Sequence, residues 1–228
     1  MASGNFFPSP RLSPRGKAPP IAASPSMRPP ILRAYLLTCP ARAAVRAATL
    51  REFAGTDWGT APDVFHNRSR LQPPWQRTVH GFPRLLRQAL RARADYFLLL
   101  EDDLHFNLHL RHNLRTWPPL RERQLHFGSL YDPGMLRRAA DPAARWFHAE
   151  PTRVLGSQAL LLSRACARHL LARWETLPWH HDLRAALLAA ELGPLYYHTP
   201  SLVQHRPGPS TWAGPPHTAP DFDPHFRA

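Results

Sequence analysis

The sequence predicts one α/β domain whose largely parallel sheet is covered by helices on both faces. Three observations predict it. Apolar runs of strand length alternate with longer helix-forming stretches from about residue 31 to 200, the pattern that βαβ units write into a chain. One run, 96–100, is apolar throughout, as a strand covered on both faces requires. The 228 residues, 43% hydrophobic and with seven Trp, suffice for one substantial core, whereas two domains would be crowded.

The elements follow in order. Residues 31–37 read as a buried strand. A helix over 41–53 comes next: its Ala, Leu and Arg favour helix, and Pro40 suits a first turn. Residues 62–66 form a second short strand. The stretch 82–94 reads as a helix opened by Pro83, with Leu85, Leu86, Ala89 and Leu90 on one face. After the strand at 96–100, segments 125–130 and 154–162 read as further strands. Ser163 then caps a helix running to about Trp174. Another helix follows Asp182, and 195–198 form the last strand. Residues 1–30 carry eight prolines, four basic residues and no acid, so they bury too little to offset their ordering entropy and read as an arm without fixed structure. The chain from Arg206 is again rich in Pro, Gly and His and reads as surface loop. The expected organisation is therefore an arm over 1–30, a domain over 31–212 and a surface tail over 213–228.

A net charge of +13 directs attention to nucleic acid or an anionic surface. Yet Lys17 is the sole lysine, and the arginines are scattered with no run of five basic residues. That pattern reflects an arginine-rich composition rather than a phosphate-binding stripe, and it argues against a nucleic-acid partner. Cys39 and Cys166 make no disulfide framework and no CxxC pair for zinc. No apolar run approaches the ~18 residues of a membrane span. The N-terminus lacks a secretory apolar region. A cytoplasmic protein with no transmembrane segment is expected.

The sharpest chemistry lies at Glu101-Asp102-Asp103, three carboxylates directly after the apolar strand. The carboxyl ends of strands in open α/β sheets face the ligand crevice. Like charges crowded there need a cation or a bound ligand to offset their repulsion. Mn²⁺ or Mg²⁺ suits such a place because it takes few protein ligands and keeps positions open for phosphates. An acidic solvated turn is the bland alternative. A second cluster of polar groups surrounds His198 and His205 and runs on to Gly208, Ser210, Thr211 and Trp212. His105, His109 and His112 fall at helical spacing, but without an acidic neighbour they read as a solvated face.

The ordered set Leu36-Leu37-Thr38-Cys39-Pro40-Ala41-Arg42, Leu100-Glu101-Asp102-Asp103, Gly156-Ser157-Gln158-Ala159-Leu160 and Pro200-Ser201-Leu202-Val203-Gln204-His205 resembles glycosyltransferases of the GT-A fold. The acidic stretch is similar to the DxD-type motif of that superfamily. The closing segment, with Ser210-Thr211-Trp212 after it, resembles bacterial and N-acetylglucosaminyltransferase-like members. The resemblance implies a Rossmann-related three-layer sandwich with a mostly parallel sheet. It implies a hexosyl- or N-acetylhexosaminyltransferase acting on a nucleotide-sugar donor and a glycan, lipid or protein acceptor. Carried onto this chain, it implies that Asp103 and His205 contact Mn²⁺ or Mg²⁺. Glu101 and Asp102 would orient the donor's ribose and sugar, Thr38 the nucleoside, and Arg42 the phosphates. The motif reads Glu-Asp-Asp rather than Asp-x-Asp, which leaves the division of labour among the carboxylates open.

An inverting transfer needs a carboxylate to take the acceptor proton. Asp182, in Trp179-His180-His181-Asp182-Leu183, stands about where such a base sits in that family, with Glu150 and Glu175 as lesser candidates and His180 or His181 at the acceptor pocket. An Asp before a helical run also serves as an N-cap, and one residue can do both. A metal-dependent phosphohydrolase would want the same carboxylates and His, and a basic nucleic-acid or anionic-surface module is the alternative outside enzymes.

A chain that begins at Met27 is expected to fold. Limited proteolysis should leave a stable core starting near that residue, with cooperative unfolding like that of the full chain. Loss of folding on removing residues 1–26 would make the arm part of the core.

Overall fold

The computed structural model describes residues 28–134, 145–154, 156–207 and 217–228. Nearly all of the expected arm, and Gly208, Ser210, Thr211 and Trp212, lie outside the described residues. The chain starts with β1 (Leu32–Thr38), a short turn at Pro40–Arg42 and α1 (Ala43–Ala54), followed by β2 (Asp63–His66) and α2 (Pro74–Arg91). Next come β3 (Tyr96–Glu101), β4 (Leu104–Phe106), α3 (Leu110–Thr116) and α4 (Pro118–Arg121). The second half contains β5 (Phe127–Ser129), β6 (Trp146–Ala149), β7 (Ala159–Ser163), α5 (Arg164–Arg173), α6 (His181–Ala190), β8 (Leu195–His198) and β9 (Val203–His205).

Seven strands form one sheet in the order β2-β1-β3-β7-β5-β8-β6, and β4 pairs with β9 in a separate ribbon. The ladders set β2, β1, β3, β5 and β8 in one direction, with β7 and β6 running against them. This is the mixed α/β, mostly parallel sheet that the alternation predicts.

Side-chain alternation along the central strands makes the sheet the middle of three layers. Phe97 and Leu99 of β3, with Leu160 and Leu162 of β7, join a core with Leu85, Leu86 and Ala89 of α2, Leu170 of α5 and Leu188 of α6. Leu98 and Leu100, with Ala159 and Leu161, face a second core with Phe53 of α1, Leu114 of α3 and Trp117. Both faces of the apolar run at 96–100 are therefore buried, as predicted.

Local signals were read well where they act locally. Ser163 Oγ accepts the Cys166 N–H at 3.0 Å and caps α5, as expected. The start of α2 is different. Pro83 does not open this helix but lies buried inside it, after a turn that already buries Val79 and Phe82. An interior proline costs about 3 kcal/mol, and burying the two upstream side chains returns about 1.5–3 kcal/mol each, so the longer helix wins. The strand expected over 154–162 begins only at Ala159, because Gly156 takes a φ of +86° that breaks extended pairing. Asp182 is not the residue before its helix: α6 begins at His181 and its N-cap is His180. His105, His109 and His112 share no helix face, since His105 is in β4, His109 precedes α3 and His112 is within it. The strand at 195–198 is followed by another, β9.

Residues 217–228 hold no helix or strand, yet they are anchored. Ala219 is buried, and Phe222 and Phe226 pack against the second core. The buried amides of Asn107 and Asn113 both donate to Phe226 O, at 2.9 Å in each case. Asn107 also donates to Asp223 O at 2.8 Å. Among the described residues no helix is long and apolar enough to cross a membrane.

Replacing Ser163 by Ala removes the α5 cap and also the 3.0 Å partner of His126 Nδ1. The expected loss is about 1–2 kcal/mol of unfolding free energy in urea, with an unchanged denaturant slope. An unchanged midpoint would mean that the cap is redundant.

Candidate functional site

Three backbone ties bring the carboxyl end of β3 to one place. Glu101 N–H donates to Gln158 O at 2.9 Å, Thr49 Oγ1 of α1 donates to Asp102 O at 2.7 Å, and Arg206 N–H donates to Asp103 O at 2.8 Å. The β4–β9 register sets His205 opposite Leu104, one residue beyond Asp103. Thr38 ends the neighbouring strand β1, and Arg42 lies in the turn after it. Thr38, Arg42, Glu101, Asp102, Asp103 and His205, scattered over the sequence, converge on this end of the sheet.

The three carboxyls differ in environment. Asp102 is 4% exposed; Thr38 Oγ1 donates to its Oδ2, and Arg42 Nε donates to its Oδ1 at 2.6 Å. Burial still raises its pKa despite these two partners. Asp103 Oδ2 accepts Arg42 Nη2 at 2.5 Å and lies 3.3 Å from His205 Nε2. Burial raises the Asp103 pKa, but the hydrogen bond and charge of His205, with Arg42, more than offset it and leave the carboxyl below its ordinary value. Reciprocally, the bond to Asp103 raises the pKa of His205. Glu101 has no arginine. Burial and the charge of Asp103 push it up to about 7, against the bond from Ser157 Oγ at 2.5 Å.

One atom stands out. Asp103 Oδ1 is buried and has no hydrogen-bond partner among the described residues. A buried carboxylate oxygen left bare carries the full desolvation cost of that group. A bare carboxylate oxygen suits Mn²⁺ or Mg²⁺. Among the described residues no group of three or more His, Cys, Asp or Glu is placed to hold a metal ion by itself. Such hard cations do not need one when substrate phosphates and water complete the shell.

Ser157 connects this centre to α6. Its hydroxyl contacts Glu101 Oε1 on one side and His181 Nε2 on the other, both at 2.5 Å. Burial lowers the His181 pKa. Next to it, Asp182 accepts Gly156 N–H at 3.0 Å and Leu183 N–H at 2.9 Å. Two of its roughly four lone-pair sites are thus taken by backbone. His180 packs edge-on against Trp75 at 4.7 Å between centroids. Glu150 is exposed, and Glu175 is 81% exposed at the edge of a 3.7 Å pair with Arg184. Among the described residues neither side chain makes a hydrogen bond or ion pair with the cluster. Cys166 is buried, with its thiol pushed up to about 12, and is inert.

Sequence reasoning missed Ser157 as the link to His181, and it missed His217. The His217 ring lies 5.0 Å from that of His205, and Tyr131 Oη lies 2.8 Å from its Nδ1 and donates to its carbonyl at 2.9 Å. Burial, then His205, lowers the His217 pKa. No local pattern around 217 marks it, because the tail reaches the site through contacts distant in sequence.

No protein-family model matches the chain, and none of the curated proteins compared with it matches. Among solved structures the chain is similar to an active-site mutant of LgtC, at 13% identity over 78% of this chain and 88% of that one, with a TM-score of 0.48. It is also similar to the galactosyltransferase LgtC in complex with donor and acceptor sugar analogs, at 13% identity over 78% and 87% of the two chains, with a TM-score of 0.47.

Proposed function

We propose that the chain is a glycosyltransferase that moves a sugar from a nucleotide-sugar donor onto an acceptor hydroxyl, assisted by Mn²⁺ or Mg²⁺. The observation that carries this reading is the bare, buried Asp103 Oδ1 beside His205 at the carboxyl end of the central strand. Asp103 and His205 would hold the ion, with His205 neutral when it ligates. When bound, the ion supplies positive charge against the leaving diphosphate. Arg42 reaches the same space from the first strand-to-helix turn and offers a fork of donors to phosphate oxygens. Thr38, which ends β1, would border the nucleoside. Asp102 anchors both Thr38 and Arg42 from within, and Glu101 faces the donor sugar with Ser157 fixing its carboxyl.

Asp182 is the catalytic base in this reading. It sits on the α6 side of the Ser157 link, and its two backbone bonds fix its orientation while lone pairs remain for an acceptor hydroxyl. His181 would border the acceptor. The donor is expected to carry a hexosyl or N-acetylhexosaminyl group.

Asp103→Asn should abolish Mn²⁺-dependent binding of UDP in titration calorimetry while unfolding stays within about 1–2 kcal/mol of wild type. Unchanged metal and nucleotide binding would remove Asp103 from the site. Asp182→Asn keeps only one of the two backbone acceptor contacts, because its amide nitrogen cannot accept, yet the site at the end of β3 is untouched and donor binding should survive. The kcat for transfer, or for slow donor hydrolysis, should fall roughly 10²-fold or more. Full activity in that variant would exclude Asp182 as the base.

A further inference from the structure

Arg42 occupies an unusual position for a phosphate ligand, because its guanidinium is already engaged with carboxylates. Nε binds Asp102 at 2.6 Å and Nη2 binds Asp103 at 2.5 Å, with the side chain only 18% exposed. The first turn of α1 contains no acid that could hold the arginine elsewhere. Its two bonds are not equivalent. Asp102 is buried and also held by Thr38, so the Nε contact is a fixed pivot. Asp103 shares one oxygen between Arg42 and His205 and keeps the other bare.

We infer that Arg42 is an internal counter-cation that competes with the divalent ion for Asp103 and is released by the donor's diphosphate. A +2 ion at Asp103 meets the guanidinium as a like charge only a few ångströms away, so the ion alone binds weakly. A diphosphate alone must draw Arg42 off Asp103 and leave that carboxylate uncompensated, so it too binds weakly. Together they exchange partners: Nη2 turns about the Asp102 pivot onto a phosphate oxygen, and the ion takes its place on Asp103. Each ligand then tightens the other by the same factor, as linkage demands. The diphosphate half of this inference rests on the proposed transferase reading, and the competition for Asp103 rests only on the metal site within that reading.

The test is titration of MnCl₂ and UDP, singly and together, into wild-type protein, Arg42→Gln and Arg46→Gln. Arg46 lies close by, with Nη1 3.4 Å from both Thr38 Oγ1 and Cys39 O, and controls for general charge removal. In wild type, Mn²⁺ and UDP should tighten one another about fivefold or more. In Arg42→Gln, Mn²⁺ alone should bind about fivefold tighter than to wild type, the mutual effect should fall to what direct contact between ion and diphosphate supplies, and UDP with saturating Mn²⁺ should bind more weakly. Arg46→Gln should change the Mn²⁺ affinity less than twofold. Equal or weaker Mn²⁺ binding to Arg42→Gln overturns the competition, as does an equal gain in Arg46→Gln. If Arg42→Gln fails to fold, independent binding of Mn²⁺ and UDP to wild type overturns it. UDP that never binds, beside a tighter Mn²⁺ site in Arg42→Gln, sinks the nucleotide reading while the competition stands.

Discussion

A carboxyl group at 4% exposure needs partners, because desolvating an unpaired carboxylate costs several kcal/mol even after the protein relaxes. Asp102 obtains them from one neighbouring segment: Thr38 closes one oxygen, and Arg42, four residues later, closes the other. Much of the candidate site depends on this. The bond to Thr38 ties the end of β1 to the end of β3 beyond their last ladder contact. The bond to Arg42 fixes the first strand-to-helix turn and delivers the rest of the guanidinium to Asp103. At an effective dielectric near 20 an ion pair at 4 Å is worth about 4 kcal/mol, comparable with the burial cost, so the arrangement holds only while both partners remain. That balance explains why three adjacent acids are tolerated at one strand end. One is neutralised internally, one is shared between Arg42 and His205, and Glu101, lacking an arginine, rises towards neutrality.

Much of this was legible in the residues, and the reasons are physical. A strand buried on both faces has to be apolar throughout, so 96–100 and the acids behind it stand out without any partner in view. The Ser163 cap is written within three residues and could be read directly. The start of α2 could not, because proline propensity points to Pro83 as a first-turn residue, and only packing of the preceding turn reverses that preference. The strand at 154–162 was drawn too long because hydrophobicity does not reveal the positive φ at Gly156.

The parts that resisted sequence reasoning are those made by distant contacts. The β4–β9 ribbon joins residues about a hundred positions apart, and each strand spans only three residues, too short for periodicity to mark. His217 and the tail depend on Asn107, Asn113, Gln204 and Tyr131, whose partners lie across the molecule. The carboxamides of Asn107 and Asn113 illustrate the limit. In the sequence they are ordinary polar residues of a loop and a helix; in the fold they are fully buried and satisfied by tail carbonyls, which makes an irregular segment part of the second core.

The ribbon also places an arithmetic constraint on the chain. Only residues 199–202 separate β8 from β9, and β9 presents Val203 and His205 to the inside with Gln204 between them. Strand side chains alternate, so inserting a single residue into that connection would present Gln204 where the imidazole now stands and turn His205 to the opposite face. Two inserted residues would preserve the parity. An insertion that is passed on to the register of β9 therefore keeps an imidazole against Asp103 only in even steps, and one that is not must be taken up wholly within these four residues.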